Sequence, residues 1–95
     1  MAAYVIAEVS VTDPAIYEEY KKLTPGAVAA YGGNFLVRGG EVTGLEGNRD
    51  PGRVVIIEFP TVQRAREWWD SEAYARARSI RQMSAKTNMI IVEGI

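Results

Sequence analysis

The chain has 95 residues, of which 47% are hydrophobic, and 11 basic and 12 acidic side chains give a formal net charge of −1. This describes one small folded domain over residues 1–95 and excludes an intrinsically disordered chain. It offers no basic face for nucleic acid, and the lack of histidine and cysteine excludes disulfides, thiol chemistry, His-dependent triads and the usual zinc ligands.

From Tyr4 to Val11 the pattern is a strand: Val5, Ala7, Val9 and Val11 form one apolar face, and Tyr4, Ile6, Glu8 and Ser10 form a mixed one. The N-terminus lacks a positive leader, so this reads as a strand and not a signal peptide, and no run approaches transmembrane length. Asp13-Pro14 is a helix start, with Asp as cap and proline at the first position, where no hydrogen bond is lost. Ile16, Tyr20, Leu23, Ala27 and Tyr31 recur at helical spacing, and Pro25 is expected to kink or divide that helix, with Thr24 recapping the second part. Gly32-Gly33 ends it.

Asn34 to Arg38 reads as the second strand, with Phe35 and Val37 on one face and Leu36 and Arg38 on the other. Gly39-Gly40 suggests a bulge, after which Glu41 to Glu46 is expected to resume the strand. Residues 47–52, GNRDPG, are turn chemistry.

The densest stretch follows, from Arg53 to Arg81, with both tryptophans and six arginines. Val54, Val55, Ile56 and Ile57 are β-branched and read as a strand covered on both faces. Glu58 shares a face with Val54 and Ile56, so its carboxylate must be paired, protonated or at the edge of a cavity. Pro60 ends the strand, Thr61 caps a helix, and Asp70-Ser71 re-caps it. Ser84 to Lys86 reads as a connector. Thr87 to Glu93 is the last strand, with Met89 and Ile91 opposite Ile90 and Val92.

The order is β-α-β-β-α-β, which predicts an α+β, ferredoxin-like fold with a four-stranded antiparallel sheet and helices on one face. The uncovered sheet face carries Tyr4, Ile6, Val54 and Ile56, and the expected cover is a second copy, giving a homodimer with a barrel-like centre. A soluble cytoplasmic protein is expected, without nucleic-acid or membrane partners.

Several segments resemble the domain-of-unknown-function 1330 family when taken together and in order. They are Tyr31-Gly32-Gly33, Arg38-Gly39-Gly40, Leu45-Glu46-Gly47, Glu58-Phe59-Pro60, Ala65-Arg66-Glu67-Trp68, Ser71-Glu72-Ala73-Tyr74 and Ile91-Val92-Glu93-Gly94. The resemblance covers nearly the whole chain and implies the dimeric α/β-barrel superfamily. That superfamily includes cofactor-independent monooxygenases, which bind substrate between sheet and helices or inside the barrel. The resemblance assigns no catalytic residue. The family often has tyrosine where this chain has Trp69.

Three functional readings follow: a small-molecule-binding homodimer, a cofactor-independent enzyme, and a dimerisation module. For the first two, Glu58 is the candidate acid or base, and Tyr4, Asn34, Arg38, Trp68, Tyr74 and Arg78 are the candidate ligand-binding residues. Arg38 and Glu58 are expected on adjacent strands, as a structural ion pair or as the polar end of an apolar pocket. Tyr74, Arg78 and Arg81 share a helix face, which reads as a solvated stripe or as a site for a small carboxylate. Neither Glu18 and Glu19 nor Glu41 and Glu46 have the ligand density of a calcium loop, and the glycine pairs match no dinucleotide or P-loop fingerprint. No metal or cofactor is therefore expected.

Overall fold

Three helix caps are set by side chains within three residues of the backbone they serve. Asp13 accepts from the Ile16 amide at 3.2 Å, Thr61 from Arg64 at 3.1 Å and Ser71 from Tyr74 at 3.1 Å. In the computed structural model, which describes residues 1–95, these caps open helices α1 (Pro14–Ala30), α2 (Val62–Asp70) and α3 (Glu72–Ser84). The strands are β1 (Ala3–Val11), β2 (Asn34–Arg38), β3 (Arg53–Phe59) and β4 (Ala85–Glu93). They form one antiparallel sheet in the order β2-β3-β1-β4. This is the ferredoxin-like βαββαβ plan, the subunit fold of the dimeric α/β barrels, with its second helix broken in two at Ser71.

The core lies between the helices and one sheet face. Val5, Ala7 and Val9 of β1 and Ile57 and Phe59 of β3 meet Tyr17, Tyr20, Ala27 and Val28 of α1, Ala65 and Trp68 of α2, and Tyr74 and Ala77 of α3. The apolar stripe of α1 runs through Tyr17, Tyr20, Thr24 and Ala27, while Ile16 is exposed. Tyr20 and Ala27 lie in the core as expected and Leu23 and Tyr31 pack against it, so only Ile16 departs, its place at the start of the stripe being taken by Tyr17.

Pro25 does not divide α1, which is continuous from Pro14 to Ala30. Proline removes the N–H that would bond the carbonyl of Lys21 four residues back. That carbonyl is served from the sheet instead, by the Arg38 guanidinium at 2.7 Å. Thr24, expected to recap the helix, turns its hydroxyl back onto the Tyr20 carbonyl at 2.7 Å.

Strand β2 departs from simple alternation. Phe35 pairs with Ile57, but Val37 pairs with Ile56 and Arg38 with Val55. Leu36 is the extra residue of a bulge, three positions before Gly39, the first of the glycines where a bulge was expected. After the bulge Arg38 shares the helix-side face with Phe35, and Val37 turns to the open face. No strand resumes at Glu41 to Glu46, and residues 40–52 have no regular structure. There is no connector at Ser84 to Lys86 either, because α3 ends at Ser84 and β4 begins at Ala85. The Ser84 carbonyl accepts from the Thr12 and Asp13 amides at 2.8 and 3.0 Å, tying this joint to the start of α1.

The second sheet face has no helix over it. It presents Ile6, Val54, Ile56 and Val37 beside the more exposed Leu36 (54%) and Ile90 (57%). No helix is long and apolar enough to cross a membrane.

Candidate functional site

Nine residues of α2 carry two tryptophans, and the helix stops at Ser71 because that side chain closes the turn from both sides. Its hydroxyl donates to the Trp68 carbonyl at 2.7 Å and accepts from the Tyr74 amide. Trp68 is thereby held against Tyr74, with ring centroids 4.1 Å apart, and against Phe59 at 5.3 Å. Its indole Nε1 is buried without an acceptor. Arg78 donates to the Trp69 carbonyl and lies over the Trp69 ring at 5.2 Å, bracing the joint between α2 and α3. Arg78 is thus occupied by the protein itself.

Beside these tryptophans a cleft of about 360 Å³ opens between α2 and the β1–β4 side of the sheet. Its walls are Ala65, Trp68 and Trp69 on one side and Val5, Met89 and Ile91 on the other, with Arg66 and Asp70 as its charged lining residues. Its volume lies within the range of small-molecule pockets, and its lining has the expected excess of apolar and aromatic groups over polar ones. Arg66 and Asp70 are both exposed, so the cleft encloses no acid–base group.

The predicted site residues separate into three places. Trp68 is in the cleft. Tyr4, Glu58 and Asn34 stand side by side across β1, β3 and β2 on the open sheet face. Arg38 and Tyr74 lie on the helix side of the sheet. The expected pairing of Arg38 with Glu58 is overturned, because the Leu36 bulge reverses the phase of β2 before Arg38 is reached. Tyr31 lies under the Arg64 guanidinium, 4.9 Å from its ring centre.

The stripe of Tyr74, Arg78 and Arg81 is not a solvated face, since Tyr74 and Arg81 are buried. The Tyr74 hydroxyl meets that of Tyr20 at 2.8 Å, and Arg81 Nε donates to the Tyr74 hydroxyl at 3.4 Å. Burial pushes the Tyr20 hydroxyl well above the ordinary phenol value, Tyr74 adds to the rise, and Arg81 opposes it. Tyr17 is raised as well, first by burial and then by Tyr20, with Arg53 pulling the other way. Sequence reasoning gave Tyr17 no place and gave Tyr20 and Arg53 no role in a site, reading Tyr20 only as part of the apolar stripe of the first helix. The arginine at the start of a strand was the available signal, because that position faces the helices whenever Val55 and Ile57 do. No group of three or more Asp and Glu side chains gathers to hold a metal ion.

Three solved structures share this arrangement of elements. A protein of unknown function from Rhodopseudomonas palustris superposes with a TM-score of 0.78 at 20% identity, over 99% of this chain and 82% of that one. SnoaB, a cofactor-independent oxygenase from Streptomyces nogalater, superposes with a TM-score of 0.68 at 14% identity, over 99% of this chain and 93% of that one. An antibiotic biosynthesis monooxygenase does so with a TM-score of 0.60 at 13% identity, over 100% and 99%. At these identities the likeness is one of fold. No curated protein matches the sequence. The model of the family described as domain of unknown function (DUF1330) matches residues 2–95, nearly the full length, and the chain belongs to that family.

Proposed function

We propose that the chain is a small-molecule-binding protein that works as a homodimer and takes an apolar, flat ligand between α2 and the sheet. The observation that carries this reading is the cleft itself, of ligand size and walled by two tryptophans, Met89 and Ile91. The absence of an enclosed acid or base in it favours binding over catalysis there. Dimerisation draws support from the open sheet face, where Leu36, Ile90 and Val92 remain exposed beside Ile6, Val54 and Ile56. A twofold partner laid on that face would cover them all.

Both tryptophans of the chain line the cleft, so their emission reports on it. Bromobenzene, a flat apolar quencher, is expected to reduce that emission along a saturating curve. Quenching that shortens the excited-state lifetime in proportion to the intensity is collisional and would sink the reading. Native mass spectrometry is expected to give twice 10.5 kDa. A monomer at micromolar concentration would refute the dimer.

A catalytic reading rests on a different place. Tyr4, Glu58 and Asn34 form a polar row within the apolar open face, which a partner copy would enclose. On this reading Glu58 is the base of a cofactor-independent reaction, supported by the likeness of fold to an oxygenase. Any turnover found would then be lost in Glu58→Gln, and turnover that survives the substitution would exclude Glu58.

A further inference from the structure

Three guanidinium groups meet between the helices and the sheet without a carboxylate among them. Arg81 of α3 is 4% exposed. Its surroundings are the Tyr74 hydroxyl, the Tyr20 ring at 6.0 Å and the Trp69 ring at 5.6 Å. Arg53, the first residue of β3, leans over Tyr17 at 5.8 Å, and its Nε is buried with no acceptor. Arg38, turned inward by the Leu36 bulge, lines the same small cavity, as do Lys21 and Thr24. No Asp or Glu lines it. The ion pairs of the chain are Lys21–Glu18, Arg49–Glu8 and Arg64–Glu67, and none involves these three arginines.

A buried cation needs an opposite charge or a full set of acceptors. Lysine or histidine relieves such a position by losing its proton, but a guanidinium does not. Aromatic faces supply part of the compensation, while Arg53 Nε is buried without an acceptor and Arg81 donates only to the Tyr74 hydroxyl. We infer that this cavity is an anion site, built for one small anion held by Arg53 and Arg81, with Arg38 at its edge. The cavity measures about 20 Å³, close to the room one water-sized group occupies. The occupant is therefore of formate or halide size, and the carboxylate head of a larger molecule does not fit. The site is separate from the tryptophan cleft, although Met89 contributes to both walls.

The test is thermal unfolding at constant ionic strength, with sodium formate replacing the sodium salt of a bulky sulfonate. A saturable rise of Tm is expected, about 6 °C at a tenfold excess over the dissociation constant. Arg81→Met is expected to abolish the rise, while Arg76→Met, at an exposed position of the same helix, keeps it. A rise that persists in Arg81→Met, or no rise in the unmodified protein, would overturn the inference. If Arg81→Met does not fold, crystals of the unmodified protein grown with bromide decide the matter. An anomalous peak between Arg53 and Arg81 is expected, and its absence refutes the site.

Discussion

Helix α1 tolerates Pro25 because Arg38 reaches across from β2, and this can be measured as a coupling between the two residues. In the native protein Arg38 donates to the Lys21 carbonyl at 2.7 Å, in place of the amide that Pro25 lacks. Hydrogen bonds to charged donors contribute about 1.5–3 kcal/mol. Arg38 is exposed, so water can replace part of its bond, and the lower end of that range applies. Its stacking on Phe35, at 4.7 Å, adds about 0.5 kcal/mol. Arg38→Ala is therefore expected to cost about 1.5–2 kcal/mol. In a Pro25→Ala background the new amide of residue 25 bonds the Lys21 carbonyl, as in any helix. Deleting Arg38 there leaves no orphan and should cost only the stacking, about 0.5 kcal/mol. The double-mutant cycle thus has a coupling energy of about 1 kcal/mol, read from urea unfolding at fixed protein concentration. Additivity within about 0.3 kcal/mol would refute the claim that Arg38 completes the helix.

Other consequences are simpler to read. Ser71→Ala removes the cap of α3 and its bond to the Trp68 carbonyl, and is expected to cost about 1–2 kcal/mol in the same assay. Gly33→Ala places a methyl 2.7 Å from both Phe59 and Val28, an overpacking expected to cost about 1–3 kcal/mol; an unchanged unfolding midpoint would show that the core yields. Tyr20 holds its proton more tightly folded than unfolded, so its contribution is complete below pH ~10 and is lost as pH rises through its higher folded value. Tyr20→Phe should flatten the alkaline loss of stability by up to about 1.4 kcal/mol per pH unit, checked by urea melts between pH 9 and 11, a range set by the ordinary phenol value of about 10.

What could be read from the sequence was local in origin. The caps at Asp13, Thr61 and Ser71 act within three residues, so they are visible in the residues themselves. The strand order followed from hydrophobic pattern and crossover handedness, and the structure has it. The errors came where a distant group supplies what a local rule demands. Pro25 predicts a break unless something serves the Lys21 carbonyl, and that something is Arg38, 17 residues away. Arg38 itself was assigned to the wrong face, because a one-residue bulge at Leu36 has no marker, whereas the glycines after it look like one. Arg81 belongs to a stripe whose composition reads as solvated. Its burial follows from α3 packing on α1, a tertiary fact.

The pairing of the first strand with the last has a consequence for how this protein is made. Ala3 stands opposite Glu93, and β1 lies between β3 and β4 in the finished sheet. Within this domain β1 leaves the ribosome before its β4 partner, with every other strand and helix of the domain between them. Until then the valine-rich β1 can acquire one neighbour, β3, and its other edge stays open to any passing strand. The sheet is therefore the last part of this domain to be completed, and β1 keeps an open edge until β4 emerges.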